Sequence, residues 1–196
     1  MSSLRSRVVF FLGAALPASA LAHTGGDAHG FIAGALHPLS GVDHLLAMLA
    51  VGLLAGISGG RTRWLLPASF VVAMGTGALL GASGIYLPLI EGVIALSLIV
   101  FGLALAAKRL LSAPALFALT IGFAVFHGHA HGTEMGVGLS ATTYGIGFLL
   151  ATALLHGVGV LLVTRSLLPL SRPTLLSWSG NAIAVVGVCS LGALIL

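Results

Sequence analysis

Charged side chains are scarce in this sequence. They make up 6% of its 196 residues, against about 25% in an ordinary soluble domain, and the mean hydropathy is +1.17. A surface so poor in charge would not remain in water, so we expect the chain to lie in a lipid bilayer, with no sizeable soluble domain. The eight Lys and Arg residues are scattered without aromatic interleaving, which argues against a nucleic-acid partner.

Cysteine and lysine are scarcer still, since Cys189 and Lys108 are each the single residue of their kind. One cysteine excludes an internal disulfide framework and a zinc site built on several thiolates. The residues around Lys108 do not match the phosphate-binding loop of ATPases. The sequence therefore predicts neither a disulfide scaffold nor an ATP-driven pump.

Residues 1–22 have the three parts of a secretory signal peptide. Arg5 and Arg7 precede the apolar stretch VVFFLGAAL, and Ala20-Leu21-Ala22 is typical of a cleavage site. Cleavage there would leave His23 as the first mature residue, whose free α-amine and imidazole can chelate one divalent ion. The alternative interpretation is an uncleaved first helix.

Six later stretches are each long and apolar enough to span a bilayer, near 31–56, 64–83, 86–107, 113–135, 142–163 and 175–196. Lys and Arg occur in the first, third and fifth breaks between them and not in the second or fourth. Cationic loops stay in the cytoplasm, so both ends of the mature chain are predicted on the periplasmic side of the bacterial inner membrane.

Residues 23–196 are therefore predicted to form a single all-α transmembrane domain of about six helices. Glycine pairs spaced four apart, such as Gly77/Gly81 and Gly128/Gly132, predict a tight bundle because they let helices approach closely. The two groups of three spans run in opposite directions, which is compatible with the 3+3 inverted repeat of many secondary transporters.

Acidic side chains inside the predicted spans need a partner or a function, because placing a charge at the centre of a span costs ~2.5–3.5 kcal/mol. Asp43, Glu91 and Glu134 lie there without a Lys or Arg partner in the spans. Histidines, a cation or protons are the remaining partners.

In the first span, HPLSGVDH runs from His37 to His44. A bend at its proline and glycine would bring both histidines and Asp43 together.

The fourth span ends in FHGHAHGTE, residues 126–134. His127 and His131 are spaced i, i+4 and can chelate one ion, and Glu134 follows one turn later on the same face. His129 is rotated by about 200° and points away. A lone histidine in a membrane helix, such as His156, is usually a packing residue. Imidazole and carboxylate without thiolate suit Ni, Co, Zn and Cu(II) alike, so these ligand types do not select the metal.

Together these residues predict metal ligands at successive depths, from the outer surface of the membrane to its middle. Its members are His37, Asp43, His44, Glu91, His127, His131 and Glu134, with His23 above them. We expect no organic cofactor. The first and fourth spans must then be neighbours in the bundle.

The stretches HPLSGVDHLLAMLAVGLLA (37–55) and FHGHAHGTE (126–134) closely resemble the signature of the HupE/UreJ nickel/cobalt permeases. The resemblance covers essentially the whole chain. It implies an inner-membrane protein that takes up Ni²⁺, or Co²⁺ in some members, for metalloenzymes such as hydrogenase and urease, with cytoplasmic metallochaperones as candidate partners. It also implies that six residues matter for transport, namely His37, Asp43, His44, Glu91, His131 and Glu134.

Two other functions fit the same residues. One is a membrane-embedded zinc hydrolase with histidine ligands and Asp43 or Glu134 as general base. The other is a metal-sensing or metal-delivery subunit of a larger complex. A transporter needs ligands staggered along the membrane normal, whereas a hydrolase needs an open coordination position beside a substrate cavity.

Overall fold

Seven helices form the described part of the protein. The structure, a computed structural model, describes residues 27–107, 111–134, 140–165 and 173–195. The helices are α1 (Asp27–Ser40), α2 (Val42–Ser58), α3 (Thr62–Ala82), α4 (Ile90–Ala106), α5 (Ala113–Glu134), α6 (Ala141–Thr164) and α7 (Pro173–Ala193). The predicted all-α class is confirmed. The predicted signal peptide, His23 and the cations Lys108, Arg109 and Arg172 lie outside the described residues.

Most of these helices suit a membrane. α3, α5, α6 and residues 174–193 of α7 are each long and apolar enough to cross it, and α4 is a shorter apolar helix of 17 residues. α1 and α2 meet at an angle of 83° and together form either one broken span or a re-entrant loop. The chain is therefore a multi-pass membrane protein, while the count of six spans and the inverted repeat stay predictions.

The break between α1 and α2 lies at Gly41, whose backbone is extended (φ −101°, ψ 118°). Pro38, in the last turn of α1, has no N–H to donate and disfavours a continuous helix. A Cβ at Gly41 would lie 2.9 Å from the Asp43 Oδ1 atom and 3.1 Å from the His44 Nδ1 atom. The bend that the sequence predicts is confirmed, and a side chain at position 41 would displace the Asp43 carboxylate or the His44 ring from this arrangement.

Glycines set the close approach of α3 and α5. A Cβ on Gly128 would overlap the carbonyl oxygen of Met74, and one on Gly77 would overlap the carbonyl oxygen of Val125. Backbones this near can pack only through residues without side chains. Similar glycine contacts join α1 to α6, α2 to α6 and α4 to α7, through Gly34, Gly52, Gly102, Gly147, Gly159 and Gly180. The predicted tight, glycine-rich packing is confirmed.

The bundle has two chemically different ends. We call the end where α5 finishes and α6 begins the histidine end. At the other end, Gly56 of α2 packs against Val160 and Val163 of α6, close to the chain positions of Arg61, Arg63 and Arg165. We call this the arginine end. The core between the two ends is mostly apolar and includes Met48, Phe70, Met74, Phe101 and Phe148, all buried.

Candidate metal centre

Four histidine rings from three helices form one cluster near the histidine end. The ring centroids of His44 and His131 lie 4.2 Å apart, those of His37 and His131 4.6 Å, and those of His44 and His127 4.8 Å. We call these four residues the histidine cluster. The two sequence motifs therefore meet although His37 and His131 are 94 positions apart, and the expected contact between the first and fourth spans is confirmed.

Three donor groups on the exposed side of the cluster are close enough to share an ion. The Nε2 atom of His37 lies 2.8 Å from Nδ1 of His131 and 3.3 Å from Oε2 of Glu134. All three donor atoms lie within 4.8 Å of one another. We call His37, His131 and Glu134 the outer donor set. A proton bridges the two imidazole nitrogens, so an ion bound by both would have to displace it.

Asp43 holds the His44 ring in place. Its Oδ1 atom lies 2.9 Å from Nδ1 of His44 and 2.8 Å from the backbone nitrogen of the same residue. A carboxylate can only accept, so His44 donates from Nδ1 and keeps its lone pair on Nε2. Carboxylates often orient metal-binding histidines in this way. The predicted role of Asp43 as a direct ligand stays a prediction, and in this geometry its Oδ1 positions His44.

Ser97 holds the His127 ring by the same principle. The Ser97 hydroxyl donates to the carbonyl of Ile94 at 2.6 Å and lies 3.0 Å from Nε2 of His127. Its single proton is used, so it accepts from Nε2, and the His127 lone pair is on Nδ1. Sequence reasoning missed Ser97. The one signal was a hydroxyl in the middle of an apolar span, which is common in membrane helices without any such role.

Three buried nitrogens of the cluster have no hydrogen-bond partner among the described residues. They are Nε2 of His44, Nδ1 of His127 and Nε2 of His131. We call them the inner nitrogens. Leaving a buried polar atom unpaired costs about 1–3 kcal/mol, and a neutral imidazole with a free lone pair is the form that binds transition metals. A neutral imidazole has a single lone pair, so His131 can bind an ion either through Nδ1 in the outer donor set or through Nε2 among the inner nitrogens, and its proton then lies on the other nitrogen.

The remaining predicted residues lie apart from the cluster. His129 is buried and donates from Nε2 to the carbonyl of Ile85, between α3 and α4, so it points away as expected. Glu91 is exposed in the first turn of α4, and the part of the chain that the structure describes contains no hydrogen bond or ion pair to it. The structure does not bring Glu91 to the cluster, and its role in transport stays a prediction.

Aromatic side chains enclose the cluster. Phe148 of α6 packs against His131 at a centroid distance of 4.5 Å, and Tyr144 packs against His37 at 5.8 Å. Phe70 of α3 contacts His127 at 5.9 Å. Sequence reasoning missed these three residues because an aromatic residue in an apolar span carries no distinguishing signal. The three aromatic side chains keep water from the histidine rings and leave the cluster open on the side nearest Glu134.

Comparison with known proteins gives one consistent result. The family described as HupE / UreJ protein matches residues 10–190 of this chain. Protein HupE of Rhizobium leguminosarum bv. viciae is 46% identical over 147 residues, which cover 74% of this chain and 76% of that protein. No solved structure is significantly similar.

Proposed function

The chain belongs to the HupE/UreJ family, and on that premise we propose that it transports a divalent transition-metal ion, Ni²⁺ or Co²⁺, into the cytoplasm. The observation that carries the proposal is the graded burial of the donor groups. The exposed fraction of the side chain falls from 59% for Glu134 to 28% for His37 and 5% for His131, and His127 is 0% exposed. An ion arriving from water meets these donors in that order.

The two ends of the bundle support transport toward the cytoplasm. Arg61, Arg63 and Arg165 lie at the arginine end, which the positive-inside rule assigns to the cytoplasm. The histidine end then faces the periplasm. His37 lies in the last turn of α1 and Glu134 ends α5, and the carbonyls at a helix C-terminus carry partial negative charge that favours a cation. The outer donor set is accordingly the capture site.

The membrane potential supplies a sufficient driving force. A dication crossing toward the negative side gains about 4.6 kcal/mol per 100 mV, twice the value for one charge. This free energy corresponds to more than a thousandfold accumulation, since every 1.4 kcal/mol is a factor of ten. Imidazole and carboxylate donors suit Ni²⁺ and Co²⁺, and the resemblance described above is the reason to choose these two ions among the borderline metals.

The hydrolase alternative has less support. An enzyme would need a substrate cavity beside the metal ligands. Three grooves between helices that are lined wholly by described residues have mainly apolar linings, and no histidine lines these three. They face the surface that lipid would cover.

Uptake of radioactive nickel by bacterial cells tests the proposal, with His131→Ala as the informative variant and His129→Ala as its control. Both histidines are buried on α5, but only His131 belongs to the donor groups. At equal amounts of membrane protein, we expect the unaltered chain to accumulate nickel, His131→Ala to lose uptake and His129→Ala to keep most of it. Equal losses in both variants, or no uptake by the unaltered chain, would contradict the proposal.

A further inference from the structure

His156 is a buried histidine whose surroundings differ from those of a packing residue. It lies in α6 and is 1% exposed, and the backbone of Thr152, one turn earlier, is near enough to pair with one ring nitrogen, which leaves the other without a partner among the described residues. His129 is also 1% exposed, yet its ring is anchored on the Ile85 carbonyl. Unpaired buried nitrogens are costly and need an explanation. The packing role that the sequence favoured for His156 does not provide one.

The position of His156 lies further along the path that we propose. Phe148, Thr152 and His156 follow one another at four-residue spacing and so share a face of α6. Phe148 packs against His131, and His156 lies about 12 Å farther along the helix, at 1.5 Å per residue, toward the arginine end. It is therefore displaced inward from the histidine cluster.

Phe70 separates His156 from the cluster. Its ring lies 4.9 Å from the His156 ring and 5.9 Å from the His127 ring, measured between centroids. Among the described residues, no other histidine or acidic side chain lies between the cluster and the arginine end. An ion that leaves the inner nitrogens and moves inward has His156 as its next side-chain nitrogen donor.

We propose that His156 is an inner coordination site for the transported ion. The site takes a borderline divalent metal ion through a neutral imidazole nitrogen, after the ion has left the histidine cluster and passed the Phe70 ring. A single imidazole makes a weak site, which suits this position because a transported ion must bind well enough to enter and weakly enough to leave. The inference rests on the proposed transport function.

The test is to make the same substitution at both buried histidines, His156→Gln and His129→Gln. Glutamine keeps a polar side chain of similar size and removes only the imidazole. Nickel uptake is measured over a range of concentrations, per amount of protein in the membrane, and Ni²⁺ binding to the purified full chain is measured by equilibrium dialysis. A third variant, His156→Cys, restores a side chain that can bind Ni²⁺.

We expect His156→Gln to lower the maximal uptake rate by about tenfold or more, the usual effect of disturbing a metal site. Its half-saturating concentration and its Ni²⁺ binding should stay unchanged because the outer donor set is intact. His129→Gln should stay within about twofold of the unaltered rate, and His156→Cys should recover part of the loss.

A normal maximal rate in His156→Gln would overturn the inference. So would a loss in His156→Cys as large as that in His156→Gln, because that result would indicate packing rather than coordination. In either case uptake by the unaltered protein would leave the proposed function standing. No uptake by the unaltered protein would instead overturn the proposed function, and the inner site with it.

Discussion

Replacing Asp43 by asparagine and by alanine should have different effects on metal uptake. The Oδ1 atom of Asp43 accepts from Nδ1 of His44 at 2.9 Å and from the His44 backbone nitrogen at 2.8 Å. Asparagine keeps a side-chain oxygen that can accept both hydrogen bonds, whereas alanine removes it. If Asp43 acts by orienting His44, asparagine is a tolerable replacement and alanine is not.

The expected magnitude follows from this positioning role. Removing a group that orients a metal-binding histidine typically costs 10- to 100-fold in metal affinity or activity, or about 1.4–2.7 kcal/mol. We expect Asp43→Ala to lose uptake by about this factor and Asp43→Asn to stay within about tenfold of the unaltered protein. His44→Ala removes the ring itself and should abolish uptake.

The assay is the initial rate of radioactive nickel uptake at equal amounts of membrane protein. His44→Ala defines complete loss, and the unaltered chain defines full activity. Asp43→Asn as defective as His44→Ala would refute the positioning argument and favour direct binding of the ion by the carboxylate. Normal uptake by Asp43→Ala would show that the hydrogen bond to His44 has no part in transport.

Two further predictions concern protons and packing. Uptake should fall as the external pH is lowered from about 7.5 to 5.5, because a protonated imidazole has no lone pair for a metal, and flat uptake over that range would argue against histidine ligation in the rate-limiting step. Gly128→Ala should lower the thermal stability of the purified protein, since its Cβ would overlap the Met74 carbonyl. Gly122→Ala in the same helix is the control, because nothing lies within 4 Å of its Cβ, and equal melting temperatures for the two variants would contradict the packing argument.

The sequence alone determined that the protein lies in lipid, that its fold is all-α, and which four residues form the histidine cluster. Six per cent charge leaves lipid as the solvent, and in lipid a chain without barrel strands must be helical because its backbone groups need partners. Charged and imidazole side chains are expensive in that solvent, so His37, Asp43, His44 and Glu134 were conspicuous against an apolar background. The i, i+4 spacing of His127 and His131 also follows directly from helix geometry.

Only the tertiary structure decided how these groups divide their roles. The angle of 83° at Gly41 brings His44 against His131, and a periodic pattern cannot give the size of a bend. Ser97 and Phe70 belong to the site because α4 and α3 pack beside α5. Asp43 faces His44 and not the outer donor set, and His156, unlike His129, lies beside Phe70 with a ring nitrogen that has no partner among the described residues. Such differences depend on contacts between helices far apart in the chain, and sequence spacing describes only the neighbours along one helix.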